Sequence, residues 1–313
     1  MKKLFSPSEI FTSSKMIDQV YRNNTIPFSG NSDLKRINSY LLLKSETENQ
    51  KTAIVRVSGK NTITKVSKKS FPLSGISPKD SRQSIFTDML TNNLPVVAAI
   101  GPAGTGKTTI AIAHAISQHL SEKKKVYLSK PTSLVGNEDN AFGPVPGGIE
   151  EKYAPYISSF TIVLKKILGN KSEEYLKLMI SKKDIEYIPV EFTRGCTYEN
   201  CTFILDEAQN LTWHELKSVV SRMGEGAQLI ILGDPQQIDT TFRLQDGGLY
   251  TMLTSRFFLE SPVTGCIYLT KQYRGPIAEL VAKIDEELSN RLIPKQHHSE
   301  NMIGNTNPHI ASG

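Results

Sequence analysis

The chain has 313 residues, a net charge of +6 at neutral pH, 38% hydrophobic residues and three cysteines. So few cysteines exclude a disulfide scaffold, and the lack of an apolar run near 18 residues excludes a transmembrane helix. The first residues, "MKKLFSPSEIF", have no apolar stretch after the lysines, so we expect no signal peptide and a soluble, cytoplasmic protein without membrane contact.

The charge is unevenly distributed along the chain. Residues 1–75 contain 13 Lys/Arg and 5 Asp/Glu, whereas the remainder contains 24 and 26. This asymmetry is compatible with nucleic-acid binding, and the alternative is a solvated basic tail. Lys68, Lys69 and the other basic residues of 51–69 are candidates for a phosphate-binding track, with Tyr40 and Phe71 as the nearest aromatic residues.

The N-terminal quarter predicts a small β module. Residues 1–30 show no clear pattern and are interpreted as an N-terminal extension. β-branched runs at 37–44, 52–59 and 61–66 predict strands, with a tight turn at 58–61. The module and the start of a connector rich in serine and proline occupy 31–75.

Residues 76–292 predict an α/β domain. Short apolar runs alternate with helical stretches, at 95–100, 125–129, 186–190, 201–206, 227–232 and 266–270. This alternation is typical of a parallel sheet covered by helices on both faces, with ligands at the carboxyl ends of the strands. The tail at 293–313 is polar and is expected to be poorly ordered.

A phosphate-binding loop follows the first of these strands. "GPAGTGKTT" matches G-x-x-x-x-G-K-[ST] between a predicted strand and a helix. Backbone N–H groups of such a loop cradle phosphate oxygens, Lys107 reaches the β- and γ-phosphates, and Thr108 is a ligand of Mg²⁺. The predicted nucleotide-binding residues are Gly101, Pro102, Ala103, Gly104, Thr105, Gly106, Lys107, Thr108 and Thr109.

Two adjacent carboxylates end the strand "CTFILD". Asp206 suits a Mg²⁺ ligand, whereas the neighbouring Glu207 faces another way and can orient a water molecule. Because phosphoryl transfer to a small molecule needs a site that excludes water, this pair favours hydrolysis. The alternative is an exposed acid pair.

Three further residues are predicted near the nucleotide. Gln237, after the strand at 227–232, can sense the γ-phosphate, although Asp234 could simply cap a turn there. Gln83 can pair with adenine, and Arg274 can stabilise charge on the γ-phosphate as an arginine finger, but either could be a surface residue. His114 is interpreted as a packing residue.

Together the motifs resemble the PhoH family of ATPases, which are related to superfamily 1 helicases but have one RecA-like domain. The matching stretches are "GPAGTGKT", "RGCTYENCTFILDEAQN", "LKSVVSRMGEGAQLIILGDPQQID" and "YRGPIAEL". The resemblance implies binding and hydrolysis of ATP with Mg²⁺, ring-shaped homo-oligomers such as hexamers, and activity on RNA. Members are described as phosphate-starvation-inducible proteins, and some are phage-encoded, which would place the protein in the host cytoplasm.

The chain departs from the family pattern in three places. Cys196 follows Arg194-Gly195 where a second arginine is usual, "VPGG" at 145–148 lacks an acid, and Lys130 replaces an arginine before Pro131. One branch of the family carries a PIN nuclease domain. About 30 residues precede the β module, and Asp18 and Asp33 form no metal cluster, so no ribonuclease activity is expected.

The leading hypothesis is an ATPase that binds or remodels single-stranded RNA or DNA. Moving along a strand would then require a ring, with Arg222 or Arg194 as alternative fingers supplied by a neighbouring subunit. The alternative is an ATP-dependent switch or assembly protein, with residues after Gly136 contacting a protein partner. A small-molecule kinase is disfavoured because Glu207 argues for water.

Overall fold

Two β-sheets organise the part of the chain that the structure describes. The computed structural model describes residues 1–28, 36–71, 75–131, 158, 161–169, 172–237, 247–273, 275 and 280. Residues 1–273 form one compact unit and residues 274–313 a second. Arg274, the "VPGG" segment, most of the proposed partner surface after Gly136 and the tail at 293–313 lie outside the described residues.

The first sheet has five strands. They are β1 Ser8–Thr12, β2 Thr25–Pro27, β3 Tyr40–Ser45, β4 Thr52–Gly59 and β5 Thr62–Lys65. The order is β1-β3-β4-β5-β2; β1 pairs in parallel with β3, and the other pairs are antiparallel. The three β-branched runs and the tight turn between the last two are therefore confirmed.

Residues 1–28, for which the sequence predicts no element, contribute two edge strands and a helix that packs on this sheet. Helix α1, Ser14–Asn23, begins after Ser13, whose hydroxyl accepts a hydrogen bond from the backbone N–H of Met16. Ile17 and Val20 bury its inner face against the sheet. The sequence missed these elements because β1 is largely exposed and β2 has three residues, so both depend on distant partners.

The second sheet has six strands, and each neighbouring pair is parallel. They are β6 Val96–Ile100, β7 Lys125–Ser129, β8 Ile185–Tyr187, β9 Cys201–Leu205, β10 Gln228–Gly233 and β11 Thr264–Tyr268. Their order is β11-β6-β10-β9-β7-β8, so β10 lies between the phosphate-loop strand and the strand of the paired acids. The predicted α/β fold with a parallel sheet and a preceding β module is confirmed.

Helices cover both faces of this second sheet. They are α2 Ser81–Thr91, α3 Lys107–Glu122, α4 Ser172–Ser181, α5 Trp213–Val220, α6 Gly248–Thr254 and α7 Arg256–Glu260, and residues 161–168 are also helical. In β10, Ile230 and Leu232 pack toward α2 and α3, while Leu229 and Ile231 pack toward α5 and α6. This alternation explains why the strands are continuously apolar. None of the described helices is long and apolar enough to cross a membrane.

The N-terminal sheet is joined to the second sheet by buried polar contacts. Arg56 Nε lies 3.1 Å from Asp88 Oδ2 on α2, and Tyr40 Oη donates to the same oxygen at 2.9 Å. Arg36 Nη2 donates to the carbonyl oxygens of Ser261 and Thr264 at 3.2 and 3.1 Å. The small module is therefore an integral layer of this unit.

Candidate functional site

The loop at 101–106 connects β6 to α3 at the carboxyl edge of the second sheet. Gly101, Gly104 and Gly106 have φ angles of 135°, 80° and 89°, which disfavour residues with a side chain. A Cβ on Gly101 would lie 2.1 Å from the carbonyl oxygen of Leu269, so the glycine also permits close contact with the end of β11. No side chain among the described residues caps α3, whose first N–H groups thus remain available to an anion.

The remaining loop residues shape this turn. Thr105 is buried and its hydroxyl donates to the carbonyl oxygen of Pro102 at 3.0 Å, while Ala103 and Thr109 are partly exposed. Lys107 Nζ donates to the carbonyl oxygens of Gly101 and Pro102. The lysine ammonium therefore lies over the loop, where phosphate oxygens are expected.

Thr108 and Asp206 meet across the sheet edge. Thr108 Oγ1 donates to Asp206 Oδ2 at 3.0 Å, although the residues are 98 positions apart in the sequence. Burial, followed by the charge of Glu207, raises the pKa of Asp206, while the bond from Thr108 opposes that shift. A hydroxyl and a carboxylate at this distance fit Mg²⁺, which prefers oxygen ligands and takes several from phosphate and water.

Glu207 begins a short 3-10 turn that ends the apolar strand. Its φ and ψ are 55° and 34°, a left-handed conformation that is strained for a residue with a side chain. Gln209 Nε2 donates to Glu207 Oε2 at 2.7 Å, and Lys130 Nζ lies 3.7 Å from Glu207 Oε1. The carboxylate therefore has a partner at each oxygen.

Gln209 connects this turn to the end of β10. Its Oε1 accepts from the backbone N–H of Asp234 at 3.0 Å, and its Nε2 also donates to the carbonyl oxygen of Gln237 at 3.0 Å. Sequence reasoning assigned no role to Gln209. The sequence does not indicate these contacts, because Asp234 and Gln237 follow a different strand, β10.

Asp234 and Gln237 have different environments in this loop. Asp234 is buried and its Oδ1 accepts from the N–H of Gln236 at 3.0 Å, so it caps the turn as the alternative interpretation had it. Burial raises the pKa of Asp234, and the bond from Gln236 and the charge of Lys107 oppose that shift. Gln236 and Gln237 are both exposed, so the γ-phosphate sensor role of Gln237 stays a prediction.

Gln83 lies under the phosphate loop. Its Nε2 donates to the carbonyl oxygen of Thr105 at 2.8 Å, and its Oε1 accepts from the backbone N–H of Lys79 at 2.7 Å. The side chain is 4% exposed, and these bonds use the amide groups that adenine would need. In this conformation Gln83 supports the loop, and its predicted adenine contact stays a prediction.

Tyr273 is a second residue that sequence reasoning missed. Its backbone N–H donates to the carbonyl oxygen of Gly104 at 2.9 Å, and its hydroxyl donates to Asp80 Oδ2 at 2.6 Å. Lys79 Nζ and Lys271 Nζ lie 4.9 and 5.6 Å from the ring centroid. The one available signal was its place in "YRG", next to the predicted Arg274.

Two predictions about other residues can be compared with the structure. Tyr40 and Phe71, the aromatic residues nearest to the basic track, are 7% and 3% exposed, so they are not accessible to bases; both belong to the apolar core that includes α2 and α3. His114 is buried, with Nε2 2.6 Å from Gln228 Oε1, which confirms its packing role.

The alternative finger residues lie elsewhere. The backbone carbonyl of Arg222 accepts from the N–H of Tyr198 at 2.9 Å, before β9 and β10 begin. Arg222 is therefore at the amino edge of the sheet, opposite the phosphate loop. Arg194 is exposed and follows the 3-10 turn Val190–Thr193. Among the described residues, no group of three or more His, Cys, Asp or Glu is arranged to hold a metal.

The fold and the site define a protein of the P-loop class. A family model described as PhoH-like protein matches residues 75–284. The chain belongs to the PhoH-like protein family.

Curated relatives agree with this assignment. The chain is 29% identical to "Protein PhoH2" of Bacillus subtilis over 287 residues, covering 88% of this chain and 63% of that protein. It is 33% identical to "Protein PhoH" of Escherichia coli over 198 residues, covering 63% and 54%. The chain thus spans between about half and two thirds of the length of these relatives.

A solved structure with a matching region is that of the Pif1 helicase from Candida albicans. The match has 16% sequence identity and a TM-score of 0.35, and it covers 67% of this chain and 43% of the helicase.

Proposed function

We propose that the protein hydrolyses ATP in a Mg²⁺-dependent reaction and couples hydrolysis to binding of single-stranded RNA or DNA. The observation that carries the first part is the position of Glu207 beside the Thr108–Asp206 pair at the edge of the phosphate loop. Asp206 Oδ1 accepts from the backbone N–H of Glu207 at 3.0 Å, whereas the Glu207 carboxylate bonds to Gln209 and Lys130.

Each residue then has a separate task. Lys107 and the loop N–H groups bind phosphate oxygens, Thr108 and Asp206 hold the cation, and Glu207 orients water toward the γ-phosphate. When bound, Mg²⁺ neutralises charge on the phosphates. Gln237 senses the γ-phosphate, and Arg274 supplies positive charge in the transition state.

Charge supports the nucleic-acid part of the proposal. The excess of basic residues lies in the first 75 positions, and Lys60, Lys68 and Lys69 are exposed there. Tyr40 and Phe71 are buried, so the proposal rests on phosphate contacts made by the exposed lysines. Such binding is sequence-independent and weakens as salt increases. Movement along a strand would require a homo-oligomeric ring.

ATPase measurements with and without single-stranded RNA, single-stranded DNA and duplex RNA, at several salt concentrations, test the proposal. Glu207→Gln should retain ATP binding and lose about 100-fold or more in turnover, the typical contribution of a general base. Glu225→Gln, an exposed acid, is the control and should keep the wild-type rate.

The nucleic-acid part fails if no strand stimulates turnover at any salt concentration. A stoichiometric protein partner in that case would favour the switch or assembly function. Phosphorylation of a small molecule in place of phosphate release would indicate a kinase.

A further inference from the structure

The carboxylate of Glu207 is fixed by more than its own backbone. Lys130 follows β7 directly, and β7 pairs with β9, so the lysine stands beside the end of the strand that carries the acids. Its Nζ lies 3.7 Å from Glu207 Oε1, opposite the oxygen that Gln209 contacts. A cation and an amide thus bracket one carboxylate.

Lys130 has a restricted geometry. Pro131 follows it, and a residue before proline is disfavoured in the helical region, so the backbone of Lys130 is restricted to extended conformations. The side chains of Lys130 and Glu207 are 26% and 37% exposed, so the pair is partly screened by solvent and contributes little to stability. The Lys130–Glu207 pair is notable for its location at the strand ends and not for its contribution to stability.

Lys130 lies close to a group of acidic side chains. Asp206, Glu207 and Asp234 bring three carboxylates to adjacent strand ends, while Lys107 is directed at the carbonyl oxygens of the phosphate loop. Without Lys130, repulsion from the acidic neighbours would favour a Glu207 side chain turned toward solvent, and of the two contacts described above only the bond from Gln209 would oppose that movement.

We propose that Lys130 is a positioning residue for Glu207, which keeps the carboxylate directed toward the water that attacks the γ-phosphate. This inference rests on the proposed ATP hydrolysis. It assigns to Lys130 a task in turnover rather than in nucleotide binding, because the ion pair that its ammonium group forms is with Glu207.

The test compares Lys130→Met, which keeps much of the side-chain length but removes the charge, with wild type. We expect kcat to fall on the order of tenfold, since misplacing a reacting group commonly has effects of this size or larger. KM for ATP and the Kd of a fluorescent ATP analogue should stay within about twofold, a result that also shows the variant to be folded. Lys130→Arg should restore most of the turnover.

Two controls separate positioning from a general structural effect. Lys125→Met removes a lysine at the other end of β7 that lies 3.9 Å from Glu186, and it should not change kcat. In a Glu207→Gln background, Lys130→Met should cause no further loss, because the group that it positions is already gone.

Wild-type turnover in Lys130→Met would overturn the inference while leaving the proposed function intact. A normal basal rate with lost stimulation by single-stranded RNA would overturn it too, and would assign Lys130 to nucleic-acid contact. A large rise in the Kd for the ATP analogue would instead assign it to nucleotide binding. If wild type itself releases no phosphate from ATP, the proposed function is wrong, and the inference about Lys130 is wrong with it.

Discussion

The side-chain oxygen of Gln209 accepts a hydrogen bond from the backbone N–H of Asp234 at 3.0 Å, although the residues belong to loops after different strands. Through its nitrogen the same amide contacts Glu207 and the carbonyl of Gln237. The side chain of Gln209 therefore links two predicted functional residues. They are Glu207, expected to orient water, and Gln237, expected to sense the γ-phosphate.

We expect Gln209→Ala to lower kcat by about tenfold to 100-fold with little change in ATP binding, because Glu207 loses one of its two restraints. Steady-state ATPase kinetics and equilibrium binding of a fluorescent ATP analogue provide the measurements. Gln118→Ala, at a partly exposed position near the end of α3, is the control. A wild-type kcat in Gln209→Ala would mean that the link has no role in turnover.

The two exposed glutamines after Asp234 offer a matched pair. Gln237→Ala leaves its backbone bond to Gln209 in place and removes only the amide, so we expect kcat to fall about tenfold or more if that amide contacts the γ-phosphate. Gln236→Ala should leave kcat unchanged in the same assay. Equal activity of the two variants would remove Gln237 from the site.

His114 should make the protein less stable at acidic pH. Burial lowers its pKa from 6.5 to about 4, so the unfolded chain binds a proton more readily than the folded one below about pH 6.5. The contribution of neutral His114 to the free energy of unfolding is fully present above pH 6.5. It falls by about 3 kcal/mol in total as the pH approaches 4.

Urea unfolding between pH 7 and pH 4 measures this loss. His114→Gln cannot take up the proton, so its free energy of unfolding should fall less steeply over that range. His214→Gln, at an exposed histidine, should follow wild type. Parallel curves for His114→Gln and wild type would show that other groups cause the acid sensitivity.

The contact between the two sheets should depend on the buried pair Arg56 and Asp88. Their side chains are 15% and 6% exposed, so Asp88→Leu leaves a partly buried guanidinium without its carboxylate and should destabilise the protein by about 3 kcal/mol. The double variant with Arg56→Leu should be less destabilised than the sum of the single variants.

An exposed ion pair provides the control for that experiment. Arg256 and Glu260 are 82% and 64% exposed, and Arg256→Leu should change the free energy of unfolding by less than about 1 kcal/mol. Chemical denaturation measures all four variants. A small effect of Asp88→Leu, similar to that of Arg256→Leu, would show that the pair does not stabilise the contact.

The basic N-terminal region should determine the salt dependence of any nucleic-acid binding. Lys68→Ala/Lys69→Ala should weaken binding of different single strands to a similar extent and reduce the slope of log K against log salt by about 0.7 per lost phosphate contact. Lys165→Ala/Lys166→Ala, exposed lysines outside this region, should leave the slope unchanged. If only the Lys165→Ala/Lys166→Ala variant changed the slope, the nucleic acid would bind the surface around Lys165 and Lys166.

Much of the second sheet could be predicted because its signals are local. Most of its strands are apolar runs that need no knowledge of their neighbours, although the run predicted at 186–190 overlaps only the short strand Ile185–Tyr187. The glycines of the loop at 101–106 and the lysine after it have a fixed spacing. In the N-terminal sheet, β3, β4 and β5 have such patterns, whereas β1 and β2 do not. These two strands exist because β3 and β5 offer them partners.

The sequence by itself determined the class of fold, the phosphate loop and the strand that ends in Asp206 and Glu207, since each rests on a short continuous pattern. Only the tertiary structure decided that Lys130 and Gln209 contact Glu207, that Gln83 supports the loop, and that Tyr40 and Phe71 are buried. The physical reason is that these contacts join strand ends and layers far apart in the chain, where sheet order sets the neighbours.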